Sequence, residues 1–181
     1  MIDKINILEI RNDAIRILKK DSNLFLFYLI YYMIPILIAG GIVFWLSIKI
    51  NTDLFGNLNA GISLFSGLLF SIIFIVSNNY KERRISHDSQ DDENIRYLKH
   101  YHEFTTTLIS LISYTIIKAL YIIVFTVVIS LYFEYINCLI DIPLKILWSL
   151  LIVFLYQFLL YVLIILKEIY SMQYEEINRK K

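Results

Sequence analysis

The chain has 181 residues, 58% of them hydrophobic and only 18% charged. Soluble domains run about 45 to 50% apolar and about 25% charged. Here the 17 basic and 16 acidic residues crowd into a few stretches and leave long uncharged runs between them. A soluble enzyme, a disordered tail and a secreted disulfide scaffold are excluded, the last because Cys138 is the only cysteine.

Residues 6–20 come first. Projected at about 100° per residue, Ile7, Leu8, Ile10, Ala14, Ile15, Ile17 and Leu18 share one half of a helix, and Asn6, Glu9, Asn12, Asp13, Arg16, Lys19 and Lys20 the other. Arg11 alone is misplaced, on the apolar half. The pattern predicts an amphipathic helix in an arm of residues 1–22, lying in the membrane interface or packed on a partner.

The first uncharged run extends from about Leu24 to Ile48, enough to cross a hydrocarbon core about 30 Å thick. It is too long for a signal peptide and lacks a small-residue cleavage site, so the amino terminus is expected to be retained. Pro35, Gly40 and Gly41 make it a candidate for a kink. A second span is expected from about Leu58 to Ser77. It carries Ser63, Gly67 and Ser71 at intervals of four, with Gly56 and Ala60 on an adjoining face. Small residues so spaced let helix backbones approach closely. Packing within the monomer is the first reading of this stripe and an oligomer seam the alternative.

Residues 78–103 hold Lys81, Arg83, Arg84 and Arg96 together with all three histidines, His87, His100 and His102. From Asp91 onward the acids Asp91, Asp92 and Glu93 precede the bases Arg96 and Lys99, which suits a helix dipole and predicts a helix that continues into the third span. Lys81, Arg83, Arg84, Arg96, His100 and His102 are the candidates for binding a cytoplasmic protein partner or signal. His100 and His102 diverge on a helix at i and i+2, so no metal site is expected. No glycine-rich phosphate loop, Ser/His/Asp arrangement or zinc-protease helix is present, and we expect neither catalytic residues, nor a cofactor, nor enzymatic activity. Without a polybasic run, direct nucleic-acid binding is not expected either.

The third span, from about Phe104 to Phe133, is interrupted only by Lys118. Glu103, Thr106, Thr107, Ser110, Ser113, Tyr114, Lys118 and Tyr121 project within an arc of about 140°, and form a polar stripe. The fourth span is expected from about Leu144 to Leu166. Counting about 1.5 Å per residue places Lys118, Gln157, Ser71 and a hydroxyl of Tyr31 or Tyr32 in one layer of the inner leaflet. A lysine at such depth is costly and tends to face a bundle interior or a water-filled cavity. One reading is a hydrogen-bonded core that fixes helix register, or a snorkelling lysine. The other is a pore lined by Lys118, Ser110, Ser113, Tyr114 and Tyr121 of the third span, with Gln157 and Ser71 beside them and a cationic ring in an oligomer. Trp45, Tyr80, Tyr101, Tyr132 and Trp148 fall at span edges, as interface anchors do. Cys138 is expected to serve packing.

Of the 17 basic residues, 14 lie in the arm, in 78–103 and in the tail, Lys49 and Lys145 lie in the other two connections, and Lys118 lies within a span. The positive-inside rule puts both termini and 78–103 in the cytoplasm. The sequence thus predicts an all-α, polytopic membrane protein: an arm (1–22), a four-helix membrane domain (23–167) and a cytoplasmic tail (168–181). The Ile, Lys, Asn and Tyr bias suits an AT-rich bacterial gene, and hence a bacterial inner membrane.

In span layout, with basic residues at Lys19 and Lys20 and again at Lys81, Arg83 and Arg84, the chain resembles the small multi-span membrane subunits of bacterial anti-phage systems, such as the Kiwa membrane subunit or CRISPR-associated membrane accessories. That resemblance implies an oligomeric, membrane-embedded sensor or effector that binds a cytoplasmic partner and responds to infection by monitoring or perturbing the membrane. A channel or small transporter lined by the third span, and a non-catalytic scaffold or assembly factor, are the alternatives.

Overall fold

The computed structural model describes residues 7–20, 23–45, 52–86, 92–135 and 141–179, all helical except Asn23. Helix α1 is Ile7–Lys20. The first span is a broken rod of α2 (Leu24–Tyr28), a π-helical turn (Leu29–Met33), α3 (Ile34–Gly40) and a second π turn (Gly41–Trp45). Three long helices follow, α4 (Thr52–Ser86), α5 (Asp92–Tyr135) and α6 (Asp141–Arg179). Four stretches are long and apolar enough to cross a membrane: Leu24–Val43, Leu54–Glu82, Ile95–Leu131 and Lys145–Tyr174. The architecture is that of an all-α polytopic membrane protein with an amphipathic helix in front.

The long helices outrun the uncharged runs that predict them. With 44 residues, α5 is about 66 Å long, more than twice a hydrocarbon core of about 30 Å. Both sides of the expected loop 78–103 are helical, α4 continuing to Ser86 and α5 starting at Asp92. Cys138 and His87 lie outside the described residues, as do the side chains of Arg83, Arg84, Trp45 and Tyr132.

Helix α5 is the centre of the assembly. Tyr101, Thr105, Leu108, Ile112, Thr115, Ala119, Ile122, Thr126 and Ile129 are all buried, and their spacing alternates between four and three. That is the 3.5-residue period of left-handed helix packing. Its neighbours answer with residues seven apart, Phe55, Ile62 and Leu69 on α4 and Leu151, Phe158 and Ile165 on α6. The periodicity is hidden in the sequence because the outward faces are equally apolar: Leu120, Val124 and Leu131 of α5 are exposed. The first span packs on α6.

Helix α1 does not lie apart from the bundle. Ala14 is fully buried and Leu18 nearly so, in a cluster with Phe27, Tyr31, Leu108, Leu111, Ile112, Tyr114, Tyr161 and Ile165. The small side chain of Ala14 lets the arm approach α5 closely, and Ile10, Ile15 and Ile17 pack around it. Tyr80, Tyr101 and Trp148, expected at the interface, have ring partners within the chain. Tyr80 stacks on Tyr101 with centroids 6.1 Å apart, and Trp148 stacks on Phe55 at 5.1 Å. Each aromatic pair ties two helices together, Tyr80 to Tyr101 at the end where α4 and α5 are joined, and Phe55 to Trp148 at the opposite end.

Midway along the opposite half, Thr126 Oγ1 hydrogen-bonds Asn59 Oδ1 at 2.7 Å and links α5 to α4. Such interhelical bonds contribute on average about 0.6 kcal/mol in membrane bundles. Thr126→Val keeps the shape and removes the bond, so it should destabilise the bundle by about that amount, read as a lower detergent concentration for unfolding in mixed micelles. An unchanged midpoint would show the bond to be energetically idle.

Candidate functional site

Proline 35 sits in the first turn of α3, next to the π turn. Lacking an N–H, it cannot donate to the carbonyl of Tyr31 four residues earlier. In a membrane, a backbone oxygen left without its helical donor needs one from a neighbouring helix. Gln157 of α6 supplies it: its Nε2 donates to the Tyr31 carbonyl at 3.0 Å. The other end of the same amide, Oε1, accepts a hydrogen bond from Lys118 Nζ of α5 at 2.8 Å. One buried amide therefore joins α5, α6 and the first span. The expected kink at Pro35 takes the form of this π turn and its borrowed donor.

Lys118 is held on its other sides by aromatic faces. Its Nζ lies 5.7 Å from the Tyr114 ring centroid and 5.1 Å from that of Phe154, both within the range of a cation–π attraction. Asp13 and Arg16 form an ion pair at 2.7 Å on the outward face of α1, remote from Lys118. Lys118 is a cation met by an amide oxygen and two ring faces, with no carboxylate in ion-pair contact among the described residues. Its depth follows from helix geometry. Along α5, Glu103 and Glu134 lie about 22 and 24 Å from Lys118; along α6, Lys145 and Lys167 lie about 18 and 15 Å from Gln157. By these counts the layer lies about midway between the charged ends of both helices.

From this layer an aromatic column runs towards the end where α1 meets α2. Tyr114 meets Tyr161 edge-on at 5.2 Å, Tyr161 leans on Tyr31 at 5.8 Å, and Tyr31 stacks on Phe27 at 4.6 Å. Lys19 of α1 closes the far end, 5.6 Å from the Phe27 ring and 5.5 Å from Tyr28.

The other expected site residues are distributed differently. Lys118 and Gln157 come together, but the tyrosine contribution is the Tyr31 main-chain oxygen in place of a hydroxyl. Ser71 is exposed on α4 and its hydroxyl donates to the Gly67 carbonyl of its own helix at 3.1 Å, so it is outside the layer. Depth counting gives a residue's height along a helix and says nothing of its direction around the axis. Tyr114 is buried, Ser110 and Ser113 are half-buried, and Tyr121 is 51% exposed. The polar stripe therefore straddles the edge of the packed face. Sequence reasoning missed Thr115 and Thr126, which are fully buried; Thr115 turns its hydroxyl onto the Leu111 carbonyl at 2.7 Å.

Ser63 and Gly67, the remaining members of the small-residue stripe, are exposed with Ser71. A Cβ added at Gly67 would meet nothing within 4 Å. The stripe does not serve packing within the monomer, because α4 turns Phe55, Ile62 and Leu69 to α5 and leaves the opposite face outward. Of the candidate partner-binding residues, Lys81, Arg96, His100 and His102 are exposed, and His102 lies 5.4 Å from the Tyr80 ring. Arg83 and Arg84 fall in the last turn of α4.

Compared with known protein families, with characterised proteins and with solved structures, the chain matches none.

Two substitutions test the amide bridge. Gln157→Leu strands both the Lys118 ammonium and the Tyr31 carbonyl, and should cost about 1 to 3 kcal/mol in detergent unfolding. Pro35→Ala restores a backbone N–H that the Tyr31 carbonyl can use, so in its presence Gln157→Leu should cost less. Equal costs in both backgrounds would show that Gln157 is not compensating for the proline.

Proposed function

We propose that this protein is an oligomeric, membrane-embedded sensor or effector subunit, working with a cytoplasmic protein partner in bacterial anti-phage defence. The observation that carries the oligomeric part is the outward position of Ser63, Gly67 and Ser71 on α4, a face on which a second helix can approach closely. The partner is received at the basic end, where α4 and α5 continue past their uncharged runs and expose Lys81, Arg96, His100 and His102. The positive-inside rule supports a cytoplasmic position for that end. The membrane is the bacterial inner membrane, and the protein senses or perturbs it through the bundle that Gln157 ties together. The resemblance in span layout to anti-phage membrane subunits supports the defence role.

A second reading, a channel or small transporter, is favoured by one observation, the cation of Lys118 held midway between the charged ends of α5 and α6.

The first reading has a direct test. In a Cys138→Ser background, Gly67→Cys should form a disulfide-linked dimer on oxidation of native membranes, whereas Leu69→Cys, facing α5, should not. Bacteria expressing the gene with its neighbours should plate phage less efficiently than controls, and Lys81→Glu with Arg96→Glu should abolish the protection. Monomeric Gly67→Cys under oxidation removes the α4 interface, and full phage plating with the intact gene set removes the defence role.

A further inference from the structure

A cation inside a membrane bundle calls for an anion, and the described residues offer none to Lys118. The ammonium has three N–H donors. One goes to Gln157 Oε1, and the other two meet no oxygen acceptor among the described residues. The rings of Tyr114 and Phe154 face it at 5.7 and 5.1 Å, but a ring face cancels no charge. An ionised side chain so placed is costly. Lys118 does not escape by snorkelling, because Gln157 holds its end in the layer of the amide bridge.

Its neighbours do not seal it in. Lys118 lies within the Ile95–Leu131 span and is half-buried, on the edge of the α5 seam that faces α6. One turn further along α5, Tyr121 is exposed; Phe125 beyond it is half-buried and meets Phe154 of α6 edge-on at 5.6 Å. The open side of the lysine is therefore the lipid side, and aromatic surface borders it.

Depth limits what can reach this opening. With Lys118 about midway between the charged ends of its helix, the headgroups of either leaflet are about 15 Å away, half of a core of about 30 Å. A phospholipid phosphate does not descend that far, and an inorganic anion has to shed its water in hydrocarbon. A single-chain carboxylic acid meets both limits, because it enters hydrocarbon as the neutral acid and carries its acceptor at the end of an apolar chain. Bound as the carboxylate, it returns its one proton to the water and accepts the two remaining N–H bonds of Lys118. Tyr121, three residues on, shares that side of the helix and offers a hydroxyl donor.

We propose that Lys118 anchors the carboxylate of a long-chain fatty acid, in a site entered sideways from the bilayer at the seam of α5 and α6 and bordered by Tyr121, Phe125 and Phe154. The site is complete in one chain, and it depends on neither the oligomer nor the defence role.

Palmitate serves as the probe. Full-length protein in phosphatidylcholine nanodiscs is irradiated with a palmitate that carries a diazirine beside the carboxyl, and the labelled residues are located by mass spectrometry. Label should fall within a turn of Lys118 on α5 and of Gln157 on α6. Unmodified palmitate should suppress it, and methyl palmitate, which has no carboxylate, should not. Binding of tritiated palmitate should weaken by at least about tenfold in Lys118→Met, through loss of a charged hydrogen-bonded pair. Lys167→Met, exposed at the far end of the α6 span, should match wild type. Helicity and elution volume check the fold of each variant, and the labelling pattern is read on the wild type alone. Label confined to the span ends, equal competition by the methyl ester, or unchanged binding in Lys118→Met overturns the proposal. Absence of label because a second copy covers the ammonium overturns it as well.

Discussion

A single side-chain amide sets the geometry of this bundle. Gln157 stands between a lysine that needs an acceptor and a carbonyl that a proline has deprived of a donor, and its amide offers an acceptor and a donor on one planar group. Lateral association in lipid has no hydrophobic drive, so the relative height of three helices depends on bonds of this kind. The apolar seams of α5 bring the helices together, and the amide fixes their register.

The energetics divide along the length of the molecule. In the half containing α1, the cluster is rich in aromatic rings, and two ammonium groups border the column that runs through it. In the other half, Phe55, Ile62, Ala119, Ile122, Ile129, Leu151 and Phe158 make an aliphatic and aromatic core, with a polar link from Thr126 to Asn59 beside it. Buried threonines recur along the α5 seam, and Thr115 folds its hydroxyl onto its own helix, leaving the methyl for packing. To its neighbours such a threonine is close to a valine, which is why a polar residue can occupy a seam position fully buried.

Much of this was legible in the sequence, for reasons that differ by residue. The spans follow from the absence of charge. Lys118 and Gln157 share a height, and height is what residue counting delivers. The Tyr31 carbonyl was open to inference from Pro35, since a proline at position 35 names the oxygen at position 31 as the one without a donor; reading Pro35 as a kink alone misses this. Arg11 stood out as the one charge on the apolar half of α1, and the structure leaves it exposed beside the docked residues Ala14 and Leu18. Ser71 shows the limit, because helices apolar all round carry no record of which side meets a neighbour. The alternation of four and three along α5 was concealed in the same way.

The pairing of Trp148 with Phe55 has a practical side. Only two tryptophans occur in the chain, and this one is half-buried against a ring of another helix, at the end of the bundle remote from the aromatic column. Both tryptophans, Trp45 and Trp148, fall towards that end of their helices, so indole emission reports on that half of the bundle. A change of packing confined to the other half therefore leaves a signature distinct from one that spreads through the whole.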